Sequence, residues 1–317
     1  MAKHWMRRSV LAAACAAAAL LAACGSSTTE SAITPDRFIA FGDAHSDVGQ
    51  KGTRYTINDG SINNWTLQVA DRYGKTLTSA SAGGLSYAQG NARLAATPDA
   101  AGDASTPTIA AQVDAFLAKG SFAANDLILM NGGISDLIVG LAAVQAGSQT
   151  ADAFVAGARA NGKLLAAQVK RLVDAGAPHV LVSGTFDLGI TPWAKTVDRE
   201  SLLSQASSAF NQGLLVDIND LGAHVLYIDT AYFVNLYKTA PGVYFFTNTS
   251  NPVCTSVDAG AGIGIGAGQV NSALCTSATL VPGANASSYV FADPVYLSPS
   301  AHRQLGNYAY DRLRARW

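Results

Sequence analysis

Charge is scarce in this chain of 317 residues: Asp, Glu, Lys and Arg make up 14% of it, and the formal net charge is −1. No basic run occurs, which argues against a nucleic-acid footprint and against adhesion to an anionic membrane surface. No self-similar period recurs, so a repeat architecture is excluded. Cysteine is sparse as well, with four residues at positions 15, 24, 254 and 275. Two cysteines as far apart as Cys254 and Cys275 offer too few ligands for a metal site. The glycine-rich run from Gly260 to Gly268 shows neither the preceding strand nor the following helix of a phosphate-cradling loop, and reads as a flexible loop. No metal or cofactor is therefore expected.

What is present begins with a processing segment. Lys3, Arg7 and Arg8 form a basic start, and Ser9 to Ala23 is an apolar run short for a bilayer span. It ends in Leu21-Ala22-Ala23-Cys24, which resembles the bacterial lipobox, whose cysteine becomes the lipidated N-terminus. An ordinary cleaved signal with an incidental cysteine is the alternative. The lipobox resemblance implies a signal peptide at 1–23, a tether at 24–36 and attachment to the cell envelope through lipid on Cys24. The absence of Asp after Cys24 implies the outer membrane. Removing Lys3, Arg7 and Arg8 with the signal takes the formal charge from −1 to −4. Cys254 and Cys275 then remain in a compartment that permits oxidation, and a disulfide between them is expected, worth ~3 kcal/mol by loop entropy.

Short apolar runs alternate with long amphipathic ones from residue 37 onward. Strand patterns lie at Arg37–Phe41, Asp126–Asn131, His179–Ser183 and His224–Asp229, with a weaker one at Lys75–Ser79. Helix patterns lie at Trp65–Tyr73, Ile109–Lys119, Thr150–Ala175, Asp198–Leu221 and Pro299–Arg314. Such alternation predicts a parallel sheet with helices on both faces. With no break in composition, residues 37–317 read as one domain. Within it, about 247–288 is rich in Gly, Ser, Asn and Ala and contains both remaining cysteines, which predicts a disulfide-held surface insertion.

Four blocks carry the chemistry. They are Phe41-Gly42-Asp43-Ala44-His45-Ser46-Asp47-Val48-Gly49, Ser86-Tyr87-Ala88-Gln89-Gly90-Asn91-Ala92-Arg93, Asn131-Gly132-Gly133-Ile134-Ser135-Asp136 and Asp293-Pro294-Val295-Tyr296. In order and spacing they resemble the blocks of the SGNH, or GDSL, ester hydrolases. The resemblance implies a three-layer α/β/α sandwich with a short parallel sheet, flavodoxin-like, and carboxylic-ester hydrolysis by a serine nucleophile. At the family's serine stands Ala44, at its oxyanion glycine Asn91, at its oxyanion asparagine Ser135 and at its histidine Tyr296. Asp293 keeps the orienting carboxylate. A methyl group cannot attack a carbonyl, and a phenol with a reference pKa near 10 is a poor base at neutral pH.

A rewired site would need Ser46 as nucleophile and His45 or His302 as base. His179 and His224 open strands and so belong at the amino ends of the sheet, away from any cleft. His302 follows a Ser298 cap and Pro299 at the start of the last helix, near the rim of the cleft. Two classes of function stay open. One is a non-catalytic envelope lipoprotein that binds an ester, acyl or glycan ligand in a cleft lined by Ala44, Asn91, Ser135, Asp293 and Tyr296. The other is an active esterase or lipase with displaced catalytic residues.

Overall fold

The computed structural model describes residues 33–317. The signal peptide and Cys24 expected from the sequence lie outside the described residues. Four apolar runs become parallel strands, β1 (Arg37–Phe41), β2 (Asp126–Met130), β3 (His179–Ser183) and β4 (Val225–Ile228), in the spatial order β1-β2-β3-β4. Phe38 pairs with Leu127, Ile128 with Val180 and Leu181 with Leu226. Every residue of β2 is buried, as expected for a central strand covered on both faces. The one charge this buries, Asp126, is held by two hydrogen bonds from the Arg37 guanidinium at 2.8 and 2.6 Å.

The helices are α1 (Trp65–Arg72), α2 (Ile109–Leu117), α3 (Ile134–Gln145), α4 (Ala151–Asp174), α5 (Pro192–Thr196), α6 (Glu200–Ile218), α7 (Thr230–Thr239) and α8 (Pro299–Arg316). They flank the sheet in a three-layer α/β/α arrangement, with α1 packed on α8 and α4 on α6. The α4–α6 contact depends on two glycines. A Cβ on Gly162 would collide with the Phe210 carbonyl, and one on Gly213 with that of Arg159. Local chemistry sets the ends of the helices. The Thr150 and Ser298 hydroxyls accept from the Ala153 and Ala301 N–H groups, and Gly176 ends α4 at φ +96°.

Three helices, α3, α5 and α7, were not apparent in the sequence. The weak strand expected at Lys75–Ser79 does not form. The chain instead makes a short turn after Ser79 and returns Leu85-Ser86-Tyr87 to the edge of β1. There the Ala40 N–H donates to Leu85 O and the Tyr87 N–H to Ala40 O. Two bridges at Ser86, to Ala40 and to Ser79, thus take the place of a fifth strand.

The region from 247 to 288 folds back on the domain. Strand β5 (Asn248–Pro252) pairs in parallel with β8 (Tyr289–Phe291), so its two ends are joined. Cys254 and Cys275 form a disulfide, which sits with Ile57, Val253 and Ala292 in a small second core. Between the cysteines, β6 (Val257–Asp258) and β7 (Gln269–Val270) make an antiparallel hairpin whose loop is the glycine run. A strand therefore does precede that run, but another strand follows it, not a helix.

Candidate functional site

The four blocks meet at the carboxyl ends of β1 and β2, where open parallel sheets place their sites. Asp43, just past β1, is fully buried. Its Oδ1 accepts from Asn131 Nδ2 at 2.7 Å and from the His45 N–H at 3.0 Å, and its Oδ2 from the Ile134 N–H at 3.2 Å. The carboxylate thus ties the first block to the third at the positive end of α3. Asp47 ties the first block to the second, accepting from the N–H groups of Gly49, Gln50 and Gly90 at 2.8 Å each. Asp136 joins the second and third, accepting from the Leu94 N–H at 3.0 Å with Arg93 Nε 3.4 Å away. Burial raises all three carboxyls above the usual range, Asp136 to about 6.

Ala44 lies in the main hydrophobic core, 1% exposed. Tyr296 is fully buried, its ring 5.5 Å from that of Tyr55. Its phenol faces the Ser135 hydroxyl, and burial together with Asp43 and Asp293 pushes its pKa well above 10. Neither hydroxyl completes a hydrogen bond with a described residue. Asp293 is fully committed elsewhere. Its Oδ1 accepts from the Val295 and Tyr296 N–H groups at 2.8 and 2.7 Å, and its Oδ2 from the N–H and hydroxyl of Ser272. Burial raises it to about 6. The carboxylate therefore organises its own turn and holds the insertion; it orients no histidine.

Asn91 occupies the left-handed region at φ +62°, a conformation that asparagine tolerates better than most residues. Its side-chain amide donates to the Gly262 carbonyl at 2.9 Å. That bond docks the glycine loop on the second block. Next to it Ile263 is 1% exposed and belongs to the main core, while Gly264 abuts the backbone of Ala100. The run expected as a flexible surface loop therefore lies over the site. None of Ala44, Asn91, Ser135, Asp293 and Tyr296 is more than 6% exposed.

His45 and His302 come together, their ring centroids 4.9 Å apart. His302 was expected near the rim, yet it is 1% exposed, because it shares the inward face of α8 with Leu305 and Gly306. Trp65 and Phe186 flank His45, at 6.3 and 5.6 Å. Burial lowers His45 to about 3 and His302 well below the ordinary histidine value. Neither nitrogen of His45, nor Nδ1 of His302, has a hydrogen-bond partner among the described residues. Ser46 Oγ accepts from Trp65 Nε1 at 3.0 Å and is fully buried. His179 and His224 lie at the amino ends of β3 and β4, as expected.

Sequence reasoning missed Ile263, Gly262 and Ser272 as parts of the site. Two isoleucines, Ile263 and Ile265, within a glycine run were the available signal; Ser272 carried none. Among the described residues no group of three or more His, Cys, Asp or Glu is placed to hold a metal ion.

No family model matches the chain. It is 28% identical over 151 residues to a GDSL esterase/lipase of Arabidopsis thaliana, covering 47% of this chain and 39% of that protein. It is 27% identical over 193 residues to an uncharacterized protein in the trpE-trpG intergenic region of Pseudomonas putida, covering 61% of this chain and 29% of that protein. The chain thus spans less than half the length of these curated relatives. Two solved structures superimpose on 89% of it at 14% identity with TM-scores of 0.46 and 0.42, too low to carry an argument. The sequence match to the Arabidopsis esterase/lipase suggests a weak GDSL hydrolase-like relationship.

Proposed function

We propose that this chain is a catalytically silent lipoprotein of the bacterial cell envelope, built on a GDSL-type hydrolase scaffold and held to the outer membrane by lipid on Cys24. One observation carries the reading. Where the four blocks converge stand a methyl group, a serine hydroxyl and a neutral phenol, and neither nitrogen of His45 nor Nδ1 of His302 has a hydrogen-bond partner among the described residues. Ester hydrolysis needs a nucleophile, a base and an oxyanion hole in contact. Losing the serine or histidine of such a triad costs about a millionfold in turnover.

The alternative, a rewired esterase, has less support. Ser46 is the acceptor of an indole N–H, and neither buried histidine reaches it by a hydrogen bond. The ligand expected in the former cleft, whether ester, acyl or glycan, would meet a buried Ala44 and Tyr296, with Tyr55 packed on Tyr296 and the glycine loop bonded to Asn91. We therefore read the cleft as closed by its own insertion. The test is hydrolysis of short activated esters by purified protein. Activity no higher than a heat-killed control is expected, and turnover that disappears in Ser46→Ala would overturn the reading.

A further inference from the structure

The other end of the sheet's carboxyl edge is open. A cavity of about 300 Å³ lies between α6 and α7 beyond the ends of β3 and β4, lined among others by Asp187, Gln212, Leu215, Tyr227, Asp229 and Asn235. It is at the small end of ligand sites and occupies the position where open α/β sheets receive ligands. The four former blocks contribute no residue to it.

Its lining has a definite chemistry. Asp187 Oδ1 accepts from the Gly189 N–H at 2.9 Å and the Ser204 hydroxyl at 2.7 Å, and Asp229 Oδ1 from the Tyr232 N–H at 2.9 Å. These bonds fix both carboxylates in place and leave one oxygen of each outside any hydrogen bond or ion pair of the described residues. Asn235 Oδ1 is buried without a partner. The carboxylates and the Asn235 oxygen are free acceptors, while the Ser207, Ser208 and Tyr227 hydroxyls donate to no described residue, so an occupant must bring both donors and acceptors. No lysine, arginine or histidine lines the cavity, so an anionic occupant would meet two uncompensated carboxylates. Leu215, 41% exposed, the half-buried ring of Tyr227 and Ala231 add apolar surface. A compact cation would gain nothing from that surface. A sugar ring suits both parts, because its hydroxyls donate to carboxylates in charge-assisted bonds while its C–H face covers apolar side chains.

We propose that this cavity binds a neutral sugar unit, with Asp187, Asp229 and Asn235 accepting from its hydroxyls. The site is independent of the closed cleft, so the silent-enzyme reading and this one stand or fall separately.

The experiment uses the full mature protein and the methyl glycosides of glucose, galactose, mannose and N-acetylglucosamine, followed by saturation-transfer NMR and calorimetric titration. At least one glycoside is expected to bind, with affinity unchanged in high salt because the ligand is neutral. Asp187→Asn and Asp229→Asn should each weaken it about tenfold, the scale of one lost charge-assisted hydrogen bond. Both aspartates also cap local turns. Asn235→Ala and Leu215→Arg therefore serve as second variants that leave those caps intact, and each should weaken binding while the circular dichroism stays unchanged. The proposal is overturned if none of the glycosides binds, if binding survives Leu215→Arg and Asn235→Ala, or if spermidine competes the glycoside away.

Discussion

The two halves of the sheet's carboxyl edge have gone opposite ways. At the ends of β1 and β2 the chain places the residues that resemble a hydrolase site, buries all of them and lays its own glycine loop over the top. At the ends of β3 and β4 it leaves an open cavity lined by free acceptors. The closed half has a polar framework, with Asp43, Asp47 and Asp136 bonding block to block, and the positions that resemble the family's reactive residues are buried. Similarity in sequence therefore reports the framework, while access to the positions decides whether chemistry is possible there.

The insertion is what makes the two halves differ, so removing its holds is the strongest way to break the comparison. Ile263→Ala should cost about 3 kcal/mol of stability, the usual scale for a large aliphatic residue cut to alanine in a core. Replacing Cys254 and Cys275 by serine should cost a similar ~3 kcal/mol through the loop it releases. Urea denaturation checks both, and a loss near zero for Ile263→Ala would mean that the loop does not close the site.

The buried histidines give the closed half a dependence on pH. His45 and His302 stay neutral in the fold, whereas in the unfolded chain they take up protons below about 6.5. As pH falls from 7 to 5 the unfolded state binds more protons, so this contribution to stability is lost. Asp136 and Asp293, raised to about 6, act in the other direction. Their native carboxyls take up protons below that value, while the unfolded ones do so only near 4, which adds stability on acidification. His302→Gln removes one histidine from this balance. The difference in stability between pH 7 and pH 5 should then shift by about 2 kcal/mol in favour of the acid side, read from urea midpoints at the two values.

The smallest effect belongs to Tyr296. Its hydroxyl is buried without a partner, so Tyr296→Phe removes an unpaired group at little loss of packing. Stability should be unchanged or higher by about 1 kcal/mol. A clear loss would show that the phenol makes a bond, through water or ligand, that keeps the former site polar.

Much of the scaffold was legible because local signals agreed with the fold. The four strands of the sheet are apolar runs, α4 carries a helical stripe and a glycine stop at Gly176, and α8 begins at a Ser298 cap and Pro299. What was missed failed for physical reasons. Helix α3 is buried from Ile134 through Ile138, so its first turn has no exposed face and even its polar residues, Ser135 and Asp136, point inward, and its start at Gly133 read as part of a motif loop. The fifth strand was expected at Lys75–Ser79, but the pairing that β1 needed came from Ser86, after a turn that no periodicity announces. The site's blocks were legible as sequence, whereas the cover over them was not. Glycine-rich segments have no preferred conformation, and the burial of Ile263 together with the Asn91–Gly262 bond reveals where this one goes.

The central claim is that no serine in this protein is a competent nucleophile. Incubating the purified protein with a reactive phosphonate ester and mapping adducts by mass spectrometry tests it directly. No modified serine beyond the level of a denatured control is expected. A stoichiometric adduct on Ser46, lost when the protein is unfolded first, would contradict it.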